Sequence, residues 1–356
     1  MVIHFVYPHL NKISTPHAIG YEVISHLEKN GYKVKAYDLY DSIPNDFQPQ
    51  AGDILLGHPR WETKSAFDAL VRKKGWHRVY VIHPFCPADL ASYAHLYTYC
   101  QFADRFIAIT GNYWKKAVAS TPFSEWTDKF FQLDLAVNLN NFPRVKEKFN
   151  PPDKRKFLFV GNHPHYKNVG FLDQLAGHFP DVEFHRIGPT SRHFKNLIQH
   201  GPHALNSSFA IDLISKVDFH ITMGNADANP TTILEAAAMG LISVAPVGSG
   251  YYESDGVLNI SGENMDEAIQ KIQYLMTVDS AFLENKRAQM DVLLRDRYSW
   301  HRFGDELIAE INHPDSMNYN INSWYDRCRI NFAYWFSKRS PYRQALKSFI
   351  FPFKKK

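Results

Sequence analysis

Cysteine is scarce: Cys86, Cys100 and Cys328 are the three in a chain of 356 residues. Odd in number and far apart, they exclude a disulfide framework and a cysteine metal cage and point to a reducing, cytoplasmic compartment. Long apolar runs are missing too, so no stretch reads as a membrane-spanning helix. The first residues enter a strand pattern at once, and no secretory signal is expected. The first strand is not followed by the G-x-G-x-x-G fingerprint, which argues against a nicotinamide-dependent oxidoreductase. No Asp-x-Asp pair lies in a suitable loop, so neither a divalent metal nor another cofactor is expected. No recognised nucleic-acid module accompanies the basic residues, and nucleic acid is not an expected partner.

What is present is globular: 45% hydrophobic and 15% aromatic residues, in a length that suits two α/β domains. The formal charge of +4 is uneven. Residues 324–356 carry nine Lys or Arg against Asp326 alone, and the first 323 hold 31 basic and 35 acidic side chains.

Val2 to Tyr7 reads as a buried strand, followed by a helix from about Pro16 to Asn30 and a strand from Lys33 to Leu39. Thr15 can cap that helix and Gly31 can end it. Strand, helix, strand opens a parallel sheet. Asp53 to Gly57 and Val79 to Ile82 are further strands, each followed by a His-Pro pair, His58-Pro59 and His83-Pro84. Residues just beyond strand ends face the ligand crevice of an open parallel sheet, which places both histidines at its edge. A histidine bonded to a loop carbonyl is the plainer role for either, and the better one for His58. The segment Asp134 to Pro143 and the charged stretch to Lys156 form a linker. Lys156 to Val160 then starts a second sheet.

Residues 227–240, Asp-Ala-Asn-Pro-Thr-Thr-Ile-Leu-Glu-Ala-Ala-Ala-Met-Gly, lie between two apolar strand patterns, Val217 to Met223 and Leu241 to Val247. Asn229 suits an N-cap, Pro230 the first helical position, and Gly240 the left-handed residue past the end. Such an N-terminus seats a phosphate or diphosphate, whereas Asp227 and Glu235 suit neutral hydroxyls. An ordinary capped helix, with Asp227 as turn chemistry, is the competing reading. Gly248-Ser-Gly250 reads as a glycine turn.

The spacing Asp227 to Glu235, continued as Leu234-Glu-Ala-Ala-Ala-Met-Gly240, resembles the acid, seven residues, Glu motif of retaining glycosyltransferases of family 4. Phe157-Leu-Phe-Val-Gly-Asn162 through Lys167 resembles the family's Phe-Val-Gly-Arg, loop, Lys-Gly segment. Ala103-Asp104-Arg105 and Tyr298-Ser299-Trp300 resemble two further family segments, so the likeness runs from residue 1 to about 312.

The resemblance implies a GT-B fold: two Rossmann-like domains with parallel sheets facing a central cleft. Residues 1–143 would form the acceptor domain, with a returning helix at about 313–340, and 155–312 the nucleotide-sugar domain. It implies that Glu235 holds the ribose and Lys167 the diphosphate, while Asp227 and the loop Asn229-Pro230-Thr231 hold the transferred sugar. His83 would contact that sugar from the opposite domain, with His58 and His17 on the acceptor side.

Three departures stand out. Asp227 replaces Glu, the first loop lacks the family's glycines, leaving Lys12 or His17 to substitute, and Asn162 replaces the diphosphate-binding Arg. Asn162 can still donate an N–H, and His163 or His165 can add charge when protonated. The implied function is transfer from a nucleotide-sugar donor to a glycan or lipid-linked acceptor, or else a non-catalytic nucleotide-sugar-binding subunit of the same fold. The tail, 341–356, interleaves aromatics with Lys and Arg, which suits an anionic membrane surface. Its earlier part, Trp324 to Phe336, can equally pack as core.

Overall fold

Short apolar runs buried on both faces, separated by helical stretches, build two separate parallel sheets. The computed structural model describes residues 1–10, 17–38, 41–59, 64–83, 99, 102–109, 111, 130–224, 227 and 229–313. Lys12, Thr15, Pro16 and the tail from 314 onward, with its expected returning helix and membrane surface, lie outside the described residues.

The first sheet holds β1 (Val2–Val6), β2 (Lys33–Tyr37), β3 (Ile54–Gly57), β4 (Arg78–His83), β5 (Arg105–Ala108) and β6 (Phe130–Gln132). Its order is β2-β1-β3-β4-β5-β6, parallel throughout. Helices α1 (His17–Lys29) and α2 (Lys64–Val71) pack on opposite faces. Ile3, Phe5 and Tyr7 of the first strand segment enter one core and Val6 the other, as the pleat requires. Gly31, at φ 83°, follows α1 as expected.

The second sheet holds β7 (Phe157–Val160), β8 (Phe184–Ile187), β9 (Ile198–Gln199), β10 (Phe219–Ile221), β11 (Ile242–Ala245) and β12 (Leu258–Asn259). Its order is β12-β11-β10-β7-β8-β9, again parallel. Helices α3 (Val169–Gly177), α4 (Ser208–Lys216), α5 (Thr231–Ala238), α6 (Met265–Thr277) and α7 (Ser280–Asp296) cover it. In both orders the strand sequence reverses next to the first strand of the sheet, between β1 and β3 and between β7 and β10. That reversal opens the crevice where α/β sheets receive ligands.

The last described helix, α8 (Trp300–Ile311), begins where the sequence places it, with the Ser299 hydroxyl accepting from the Arg302 amide. Its apolar face packs against the first sheet's helix α1. Phe303, Leu307 and Ile311 enter the first domain's core beside Ile19, Val23 and Leu27 of α1. Gly304 lets the His26 ring lie directly on the helix. Glu310 accepts from Arg105 Nε at 2.9 Å, and its carbonyl accepts from Tyr80 Oη at 3.1 Å.

The linker is no free spacer. Lys146 is buried and pairs with buried Asp218 at 3.1 Å, while the Val145 and Lys146 amides donate to the Met239 carbonyl. The Asp218 carboxylate accepts from the amides of Asn150 and Lys156 as well. Burial of this ion pair is tolerated because the acid's remaining lone pairs are satisfied.

Candidate functional site

Strand β7 ends at Gly161, whose φ of 146° turns the chain outward into Asn162 and His163. A single turn of 3-10 helix, His165–Lys167, follows, then Asn168 in the left-handed region, and α3 begins. The Lys167 amide donates to the Pro164 carbonyl at 3.0 Å, folding the loop back so that the ammonium group faces the end of β10.

There it meets the loop that leads into α5. Lys167 Nζ lies 2.5 Å from Asp227 Oδ2, with both side chains largely buried. A β-carbon on Gly224 would press on the Tyr166 carbonyl and the Asp227 β-carbon, so a bare backbone there lets the two loops close together. One turn into α5, Glu235 is half-buried. Burial pushes its carboxyl up to about 7, against the opposing effects of a Thr231 hydrogen bond and the Lys167 charge. Lys167 therefore acts on both acids singled out in the sequence, across the crevice at the switch point.

Asn229 departs from expectation. The helix starts at Thr231 with Pro230 at the cap position and no side-chain cap bond. Asn229 has a φ of 48° and is 1% exposed, and neither amide atom has a partner among the described residues. Its own amide donates to the Ser249 carbonyl at 3.1 Å. With the backbone in the left-handed region the side chain makes no cap bond, and a buried amide is left within the loop that leads into α5. Gly240, at φ 100°, ends α5 as expected, and Gly250, at φ 90°, ends the short turn Val247–Ser249.

On the opposite domain, His83 is the last residue of β4 and His58 follows β3; both are fully buried. Their rings pack at 5.2 Å, and His58 Nδ1 donates to the Ile82 carbonyl at 2.8 Å, which is the plainer role considered for it. His17 opens α1, where its Nδ1 accepts from the Leu10 amide at 3.3 Å. The domains meet at Gly111, beyond the end of β5. A β-carbon there would lie 2.6 Å from the Gly250 carbonyl and 3.4 Å from Asn229 Oδ1. Beside this meeting point, Glu22, Asn138, Thr231, Glu235 and Trp300 help line an interdomain cavity of about 20 Å³, room for roughly one water.

Two residues escaped the sequence reading. His220, fully buried on β10, has both ring nitrogens without a partner among the described residues, and burial then the Lys167 charge pull it down to about 3. Arg186, fully buried on β8, is held below its ordinary value by burial and donates to the carbonyls of Pro189 and Gly161. Neither belongs to a sequence motif; only strand adjacency brings them to the site. Among the described residues no three His, Cys, Asp or Glu side chains converge as a metal-binding set, and no helix is long and apolar enough to cross a membrane.

No protein-family model and no curated protein matches the sequence. Solved structures do match. Sucrose-phosphate synthase from Thermosynechococcus elongatus is similar over 87% of this chain and 98% of its own, at 11% identity and a TM-score of 0.66. The Anabaena protein HepE, in complex with UDP and glucose, covers 87% and 99% at 10% identity and 0.61. A trehalose-6-phosphate synthase, studied for glycosyl transfer with retention, covers 87% and 99% at 10% identity and 0.63. Two doubly wound parallel sheets, a crevice at their switch points and end-to-end likeness to these structures make this the GT-B fold.

Proposed function

We propose that the protein is a glycosyltransferase that moves a sugar from a nucleotide-sugar donor to a glycan or lipid-linked acceptor, with retention of configuration. The observation that carries it is Lys167 paired with Asp227, its charge also acting on Glu235, at the mouth of the second sheet's switch point. Lys167 meets the donor diphosphate and stabilises the charge that grows on the leaving group as the glycosidic bond breaks. Glu235 accepts the ribose hydroxyls. Asp227, Asn229 and the turn through Pro230 and Thr231 hold the transferred sugar, with Asn162 donating to the phosphates. His83 approaches the sugar from the first domain, and His17 and His58 border the acceptor. The leaving phosphate takes the acceptor proton on the same face. The UDP and glucose of the Anabaena structure and the retention studied in the trehalose-6-phosphate synthase support this reading.

Lys167 and the backbone amides ahead of α5 take the place of a divalent ion. Turnover is expected to persist in chelator, and its complete loss would overturn that point. A tail bound to an anionic membrane would bring the protein to a lipid-linked acceptor.

The test is a panel of UDP-, GDP-, dTDP- and ADP-sugars, following nucleotide release and binding with Glu235→Ala as control. Release from one donor, lost in the variant, is the expected result; neither release nor binding for any donor would sink the proposal. A second reading, a binding subunit without turnover, is favoured by Asn162, which supplies no cation where the family has Arg. Binding without release, even with acceptors present, would select it.

A further inference from the structure

We infer that His163, held by buried Arg186, supplies the hydrogen bond that an arginine at position 162 would have made, its Nε2–H meeting a phosphate oxygen of the nucleotide donor. The inference rests on the nucleotide-sugar reading above and assigns a residue pair that the family motif lacks.

Arg186 is 0% exposed. Its Nη1 donates to the Pro189 carbonyl at 2.9 Å and to Gln199 Oε1 at 3.2 Å, and its Nη2 lies 3.3 Å from both the Gly161 carbonyl and His163 Nδ1. Nε has no partner, and no carboxylate pairs with the guanidinium among the described residues. A buried cation without a counter-charge is costly, so its positive potential stands uncancelled at the ends of β7 and β8. That is the side of the sheet where the donor diphosphate is placed.

The same contact fixes the histidine. Guanidinium nitrogens only donate, so His163 Nδ1 accepts and the ring proton sits on Nε2. His163 thus enters the site as an oriented donor. Nε2–H reaches exposed Ser191 Oγ at 3.3 Å, a long bond that a charged oxygen would displace, because charge-assisted bonds are shorter and stronger. The geometry is rigid beneath. A β-carbon on Gly188 would collide with the Gly161 carbonyl, so the turns after β7 and β8 abut backbone to backbone over Arg186. His163 and Lys167 stand at the two ends of one folded-back loop.

The experiment is titration calorimetry of UDP, GDP, dTDP and ADP into the full chain, with ¹⁵N-histidine NMR as the second readout. His163→Ala is expected to weaken the nucleotide that binds about tenfold, equal to about 1.4 kcal/mol. His163→Gln, which carries an N–H donor at a comparable reach, is expected to recover most of the loss. Arg186→Met is expected to leave His163 a mixture of tautomers and to weaken binding similarly, a spectral change that a merely structural role for Arg186 would not produce. Wild-type binding undiminished in His163→Ala overturns this inference alone. No binding of any of the four nucleotides by the wild type overturns it together with the reading on which it rests. Should Arg186→Met fail to fold, the wild-type spectrum decides: a proton on Nδ1, or an Nε2 signal unmoved by nucleotide, overturns the assignment.

Discussion

Asp227 competes with phosphate for Lys167, since one ammonium group 2.5 Å from a carboxylate cannot also be fully engaged by a diphosphate. Removing the negative charge while keeping the shape frees the cation and relieves repulsion of the ligand. Asp227→Asn is therefore expected to bind nucleoside diphosphate several-fold more tightly while losing at least about tenfold in turnover, because the sugar loses its charged acceptor. Calorimetry and steady-state rates on one preparation check this; weaker nucleotide binding would show that the pair organises the loop instead of competing. Glu235 gives a pH signature. Its carboxyl is raised to about 7 in the folded chain, above its ordinary value of 4.5, so the folded state binds the extra proton. Its favourable contribution is present below pH 4.5 and is lost as pH rises through 7. Glu235→Gln, which cannot ionise, is expected to gain stability over wild type across that window, by about 1–2 kcal/mol at neutral pH after allowance for partial exposure. Melting curves from pH 4.5 to 8 test the slope, and a constant difference would exclude the mechanism. Lys167, Asp227 and Glu235 were all legible, because one spacing motif and one loop carry them. His220 and Arg186 were not, since a strand residue's approach to a site depends on which strands are neighbours.

Two strands that border the site are followed by a residue that removes a side chain from a crowded place. Gly161 and Gly188 close β7 and β8, and their turns touch. Gly188→Ala forces a backbone shift where neither turn can move alone, and is expected to cost about 2 kcal/mol or more, read by urea unfolding. An unchanged midpoint would mean that the two turns slide freely. Strands and helices were legible because short apolar runs alternate with capped helical stretches along the chain, and Gly31 and Gly240 follow two of the helices. The start of α5 was misread at Asn229, because asparagine is suited both to capping and to the left-handed region, and here the second use prevails. The core against which α8 packs was also beyond the sequence. Its apolar stripe of Phe303, Leu307 and Ile311 would fit either core, and contacts with α1, Arg105 and Tyr80 decide.

Across the cleft the described residues make an ion-pair network on one side and a backbone approach near the site. Arg297, at the end of α7, bonds Asp134 Oδ2 at 2.7 Å and Asp255 Oδ1 at 2.5 Å, tying the exit of the first sheet to the second domain. Burial opposes its charge, but the two acids prevail and hold the guanidinium above its ordinary value. On the other side of the cleft, among the described residues, Gly111 approaches Gly250 and Asn229. Gly111 has a φ of 57°, and a β-carbon would lie 2.6 Å from the Gly250 carbonyl, so alanine adds strain of about 1–2 kcal/mol together with a collision between domains. The collision can be relieved by opening the cleft about the Arg297 side, with both cores intact. Gly111→Ala is accordingly expected to show a larger radius of gyration in solution scattering and turnover lower by an order of magnitude or more. Its nucleotide affinity is expected to stay within about twofold, because Lys167 and Glu235 belong to one domain. Unchanged scattering with unchanged turnover would mean that the domains meet elsewhere during the reaction, whereas loss of nucleotide binding would place part of the donor site on the first domain.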